Sequence, residues 1–212
     1  MGAHANNRPA EMLTYPEDPQ FGKATPGKIA MWIFLVTDAM SFAGLLIAYA
    51  ILRATKDWPN PIEALGGVDL PAFMTFLLIC SSVTMVLSID ACRMKNREKM
   101  KKWLLLTILG GVFFLGLQAY EYTILYMQNM QFGVPFVYKG VTYHHFMSTF
   151  YSVTGFHGLH VLMGTLYLCQ MYNLAHKGAF DNGNYNQLEL AGLFWHFVDL
   201  VWILVFTFIY LL

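Results

Sequence analysis

Five apolar stretches run approximately from Ile29 to Leu52, Pro71 to Ala91, Trp103 to Met127, Phe146 to Tyr172 and Leu190 to Leu212. Each is long enough for a helix to cross a hydrocarbon core of roughly 30 Å, which takes about 20 residues. A transmembrane β-barrel would instead show segments of about ten residues alternating apolar and polar. These runs are continuous and longer, and a helix in lipid satisfies its backbone hydrogen bonds internally. Composition agrees. Apolar residues make up 57% of the 212-residue chain and charged residues 12%, against about 25% charged in a typical soluble domain. That is too little polar surface for a soluble globule and too much apolar content for disorder. Three cysteines exclude a disulfide scaffold, and 13 basic against 13 acidic residues leave no net charge to attract nucleic acid. The chain reads as all-α, an integral membrane bundle of five transmembrane helices spanning residues 28–212, preceded by a polar tail over residues 1–27.

The connectors carry turn chemistry: Asp57-Trp58-Pro59-Asn60-Pro61 with Gly66-Gly67, then Gly133-Val134-Pro135 with Lys139-Gly140, then Gly178 with Asp181-Asn182-Gly183-Asn184. Orientation follows from Lys and Arg in the short loops. Arg8, Lys23 and Lys28, the cluster Arg93, Lys95, Arg97, Lys99, Lys101 and Lys102, and Lys177 fall on one side; Arg53, Lys56 and Lys139 fall on the other. The N-terminus is therefore expected to be cytoplasmic and the C-terminus periplasmic. The tail lacks the short apolar core of a cleavable signal peptide. Cys80, Cys92 and Cys169 lack metal-ligand spacing and read as buried apolar fillers. Gly44 with Ala48, and Gly155, Gly158 and Gly164, read as points of close helix contact.

An ionisable group in hydrocarbon costs at least a few kcal/mol, so each one calls for a reason. Asp38 lies near the middle of the first span. Gln118 and Glu121 are three apart in the third, His157 and His160 three apart in the fourth, and His196 and Asp199 three apart in the fifth, beside Trp195 and Trp202. Residues at this spacing share a helix face. If the helices bundle, acids on the first, third and fifth spans could meet the histidines of the fourth. Thr37 and Ser41 are candidate partners for Asp38. Two readings stand: hydrogen bonds between helices, where lipid offers no hydrophobic drive, or proton handling by the same groups. His-x-x-His with nearby carboxylates has part of the composition of a carboxylate-bridged metal centre, but the repeated Glu-x-x-His is missing. No catalytic, metal or cofactor-binding residue is expected.

Three strings, in order and on successive spans, carry a family resemblance: Gln118-Ala119-Tyr120-Glu121-Tyr122, Thr154-Gly155-Phe156-His157-Gly158-Leu159-His160-Val161, and Trp195-His196-Phe197-Val198-Asp199-Leu200-Val201-Trp202. Together they resemble subunit III of the haem-copper respiratory oxidases, over about residues 28–212. Thr37-Asp38 falls where that family typically has Ser-Glu, the glutamate being known for carbodiimide reactivity; Asp at this place is similar to quinol-oxidase relatives. Many members have seven helices and hold phospholipid in a cleft beside the first two. This chain resembles the short five-helix bacterial form.

The resemblance implies an accessory, non-redox subunit of an aerobic terminal oxidase that reduces O2 to water and pumps protons in the bacterial inner membrane. Haem and copper are then expected in partner subunits and none in this chain, with bound phospholipid as a further expectation. Subunit I would be the main contact, with subunit II and a small subunit IV beside it. The implied role is support of proton uptake and protection of subunit I. The alternatives are a subunit of a quinol oxidase or of a nitric-oxide reductase cluster. A transporter working alone would be expected to show internal repeats or broken helices, and the sequence contains neither.

Overall fold

The computed structural model describes residues 25–55, 57–181 and 185–212. The expected tail up to residue 24, with Arg8 and Lys23, lies outside these residues, as do Lys56 and the turn residues Asn182, Gly183 and Asn184. The elements are α1 (Pro26–Thr55), α2 (Pro61–Ala64), α3 (Asp69–Arg93), α4 (Arg97–Met127), β1 (Phe136–Tyr138), β2 (Val141–Tyr143), α5 (Phe146–His176) and α6 (Asn186–Val205), which runs on as a π-helical segment, Phe206–Leu211.

The five long helices sit where the apolar stretches predict, but extend past them. α4 begins at Arg97 instead of Trp103 because the Asn96 side chain accepts from the Lys99 amide and caps it, so the basic run continues the helix. At the far end of α5, the Arg97 guanidinium donates to the carbonyls of Ala175 and His176, satisfying groups that a helix end leaves open.

Packing follows the 3–4 residue spacing of the buried positions. On α3 these are Pro71, Met74, Leu78, Ser81, Met85, Ser88, Ala91 and Cys92; on α4 they include Leu104, Thr107, Gly111, Phe114, Gln118, Glu121 and Leu125. Helices α3, α4, α5 and α6 close into a ring, and α1 lies outside it against α5 and α6. Helix α1 buries only the stripe Leu35, Asp38, Phe42 and Tyr49, leaving Trp32, Val36, Met40 and Ile47 exposed. The outer faces of the ring likewise present Phe76, Val83, Leu106 and Phe113. An aqueous protein would not tolerate so large an apolar surface; lipid does.

Four helices, α1, α3, α4 and α6, are long and apolar enough to cross a membrane. Helix α5 is as long, but its histidines, threonines and glycines lower its apolarity, and four of its polar positions face inward: Thr154, His157, His160 and Thr165 are buried.

Three expectations need correction. Among the described residues the regular structure is helical except for one short hairpin, in which Phe136 pairs with Tyr143 and Tyr138 with Val141. Its two-residue turn, Lys139-Gly140, has positive φ at both positions (49° and 80°), as a hairpin of right-handed twist demands. Cys80 is exposed on the outer face of α3 and is no buried filler, whereas Cys92 is buried. Gly44 is not a contact point, since nothing lies within 4 Å of a Cβ placed there. Gly158 and Gly164 are contact points: a Cβ on Gly158 would sit 2.5 Å from Gln118 Oε1, and one on Gly164 3.1 Å from Phe194 and Trp195 ring carbons.

Candidate functional site

The seven polar residues singled out in the sequence separate into five groups inside the bundle. Asp38 and His160 meet between α1 and α5, with His160 Nε2 3.1 Å from Asp38 Oδ1 and both side chains buried. His160 Nδ1 lies 2.7 Å from the Phe156 carbonyl oxygen, one turn back on its own helix. A carbonyl only accepts, so Nδ1 carries a proton. Nε2 then either accepts from a protonated Asp38 or donates to its carboxylate. The pair holds one shared proton and is net neutral either way, which suits a low-dielectric interior. Thr37 and Ser41 do not serve Asp38 as expected; their hydroxyls turn back to the carbonyls of Phe34 and Thr37 on the exposed side of α1.

His157, three residues before His160, meets no carboxylate. It is fully buried, its ring nitrogens make no hydrogen bond to the described residues, and it packs against Phe114 (5.7 Å between centroids) and Trp202 (5.0 Å). Sequence spacing placed both histidines on one face, but α5 turns one toward α1 and the other toward α4 and α6.

Gln118 joins α4 to α5. Its Nε2 donates to the Thr154 carbonyl at 2.8 Å and to the Tyr122 hydroxyl at 3.2 Å. The Thr154 hydroxyl lies 2.7 Å from the Phe150 carbonyl, to which it donates, so at 2.8 Å it accepts from Tyr122. The absent side chain at Gly158 makes room for the amide.

Glu121 accepts from the Tyr210 hydroxyl at 3.0 Å, tying α4 to the π-helical end of the chain instead of to a histidine. It is buried from bulk solvent but lines a cavity of about 290 Å³ under the Gly66-Gly67 turn, shared with Asp69 and Gln128.

His196 and Asp199 lie on α6 toward α3. His196 Nδ1 is 2.6 Å from Ser82 Oγ. Asp199 is buried near the same serine, with neither carboxyl oxygen in hydrogen-bond geometry with a described residue. The flanking tryptophans anchor this interface, Trp195 donating to Ser81 at 3.1 Å and Trp202 to Thr75 at 2.9 Å.

Among the described residues no three His, Cys, Asp or Glu side chains converge; the contacts are separate pairs and one Gln118–Tyr122–Thr154 set. Sequence reasoning missed the partners Tyr210, Ser82 and Thr154. Single hydroxyls in apolar spans carry no charge to draw attention, although Thr154 stands one helical turn from His157. It also missed Glu189, in the first turn of α6, which binds Lys28 of α1 (2.6 Å) and Arg93 of α3 (2.5 Å) at once.

A helical membrane bundle whose members are stitched by buried polar pairs is the class that fold and interior define. Comparison with known proteins narrows it. The family model for cytochrome c oxidase subunit III matches residues 25–212. Cytochrome c oxidase subunit 3 of Alkalihalophilus pseudofirmus is 34% identical over 87% of this chain and 85% of its own. That of Bacillus sp. strain PS3 is 31% identical over 94% and 93%, and that of Synechocystis sp. 36% identical over 85% and 73%. The chain belongs to the cytochrome c oxidase subunit III family, as the strings on α4, α5 and α6 suggested.

Proposed function

We propose that the chain is an accessory, non-redox subunit of a cytochrome c oxidase-type terminal oxidase, packed against subunit I in a bacterial inner membrane, with subunit II and a small subunit IV nearby. The observation that carries this reading is the family match over nearly all the described residues, together with relatives of similar length named as subunit 3 of that oxidase. Haem and copper then reside in the partner subunits, which take electrons from cytochrome c, reduce O2 and translocate protons. All five long helices cross the bilayer, α5 included, with the α3–α4 loop in the cytoplasm and the hairpin outside; the Lys and Arg distribution supports this orientation. The buried pairs hold the helices in register, and the proton shared by Asp38 and His160 supports proton uptake by subunit I.

Purification through an N-terminal tag in mild detergent tests the assignment. A co-purifying polytopic subunit with reduced-minus-oxidised haem bands is expected. Deletion of the chain should leave the haem spectrum of the oxidase intact and shorten its active life during turnover. A colourless, well-folded chain purifying alone, or loss of the haem signal on deletion, would contradict the proposal.

A further inference from the structure

The cavity of about 290 Å³ under the Gly66-Gly67 turn is bounded by that turn, the first turn of α3 and the last turns of α4. It stands at the lower edge of the size range of ligand pockets, about 300–1,000 Å³. Most of its wall is apolar, from Leu65, Leu70, Pro71, Ile124 and Leu125. Glu121 is the buried charge-bearing group in that wall, only 7% exposed. Asp69 and Gln128, both exposed, stand at the mouth. The turn above contributes no side chain, and its φ angles of 83° and 114° suit glycine alone.

No Lys, Arg or His lines this cavity. Tyr210 donates to Glu121 Oε2, and Oε1 forms no hydrogen bond among the described residues. The carboxyl thus meets a neutral hydroxyl and no counter-charge, and a buried charge is costly until it is paired. A cation is the occupant that answers this. A bare metal ion takes several oxygen ligands, and no three His, Cys, Asp or Glu side chains gather among the described residues. A primary ammonium asks for less: it carries three donors and needs only acceptors. An alkyl body attached to it would meet the apolar wall. Asp69 adds negative charge at the mouth, which draws cations inward. It lies in the first turn of α3, whose positive dipole end offsets part of that charge, so Glu121 remains the principal anchor.

We propose that this cavity binds a small alkylammonium, with its primary ammonium on Glu121 Oε1 and its alkyl body against Leu70, Ile124 and Leu125. The proposal rests on the cavity and its lining and not on the oxidase assignment.

Photolabelling of the full chain with its co-purifying subunits, in mild detergent, tests this. The probe is a diazirine-bearing alkylamine, and labelled residues are read by peptide mass spectrometry. Label is expected on Leu70 and Ile124; excess hexylamine should remove it and hexanol should not. Glu121→Gln, whose amide oxygen still accepts from Tyr210, should cut the label on those two residues about tenfold, the worth of one hydrogen bond between charged groups. Asp69→Asn should cut it by less, because an exposed charge is screened. Leu70→Trp, which fills the cavity, should abolish the label on Ile124 while Glu121 stays in place. Equal labelling by a matched alcohol probe would overturn the site, as would labelling that hexylamine does not compete or that survives in Glu121→Gln and Leu70→Trp. Label on exposed, lipid-facing positions such as Phe113, or on a partner subunit, in place of Leu70 and Ile124 would do the same. Absence of haem subunits from the sample would defeat the oxidase assignment and leave this result standing.

Discussion

His160 is held at both ring nitrogens, by Asp38 and by the Phe156 carbonyl, whereas His157, of the same residue type on the same helix, is held by aromatic faces alone. The two should respond differently to loss of the imidazole. His157→Phe should leave the melting temperature of the detergent-solubilised subunit unchanged or raised, since an apolar ring suits that cage. His160→Phe should lower stability by roughly 0.6–1.7 kcal/mol, the range for a hydrogen bond between membrane helices. Equal losses in both variants would show that the Asp38 contact is not what distinguishes them. Close approach gives a second contrast. A methyl on Gly111 would lie 2.5 Å from Thr165 Oγ1 and 2.7 Å from Trp195 Cη2, while one on Gly44 meets nothing. Gly111→Ala should destabilise by about 1–3 kcal/mol, as overpacking does, and Gly44→Ala should be neutral or better; thermal unfolding of the two variants compares them. Both glycines stand in apolar helices, so the sequence offered no way to rank them, and its reading chose Gly44. Only the neighbour across the interface tells them apart.

Between helices and loops, the Glu63–Lys139 pair joins α2 to the hairpin turn at 2.5 Å, outside the apolar spans. The hydrogen bond from Lys139, then that from Tyr138, holds the Glu63 carboxyl below its ordinary 4.5; the same contact holds Lys139 above its ordinary 10.5. With the folded carboxyl depressed, its contribution is complete above the ordinary carboxylate value and disappears as pH falls through the lowered one. With the folded amine raised, its contribution is complete below the ordinary ammonium value and disappears as pH rises through the elevated one. Hydrogen exchange of hairpin amides should therefore be slowest between these limits. The difference should be small and reduced by salt, because the pair is solvent-exposed. A flat profile, or one unchanged in Glu63→Gln, would refute the contact. The long helices were legible because continuous apolar runs admit little else, and the Lys139-Gly140 turn was legible from its glycine. The strands beside it were not: three residues on each side carry no periodicity, and Phe136 stacks on Tyr138 and meets Phe146 at a tilt, contacts that no periodicity announces.

For the molecule as a whole, every long helix leaves apolar side chains exposed on one side, and the proposed orientation gives a definite topology to test. In a chain whose three native cysteines are replaced, Lys95→Cys should react with an impermeant thiol reagent only from the cytoplasmic side of membrane vesicles, and Val137→Cys only from the opposite side. The reverse pattern would invert the topology; labelling of both from one side would remove an odd number of crossings between them. The candidate site was legible as a set of residues and illegible as a set of pairs. Depth along a helix can be counted from sequence, but the direction a side chain faces depends on rotation and tilt, which packing sets. Depth puts Asp38 level with His157 and Asp199, yet its partner is His160; Glu121 could not be matched to Tyr210, because the π-helical segment changes the angular position of every residue after Val205.

Helix α5 turns Thr154, His157 and Thr165 toward the ring and His160 toward α1, and, unlike the four other long helices, it falls short of the apolarity of a candidate span. Insertion into a bilayer from the ribosome is judged one segment at a time, on apparent transfer free energy. A segment with two histidines near its middle is a poor candidate on that scale when it emerges alone. Helix α4 precedes it with Gln118 and Tyr122 ready to engage Thr154, and α6 follows with the aromatic wall around His157. Biogenesis of the chain would then hinge on α5 lingering at the translocon until a neighbour arrives. A reporter fusion truncated after α5 should integrate less completely than one truncated after α6, although the shorter chain contains the whole of the segment in question.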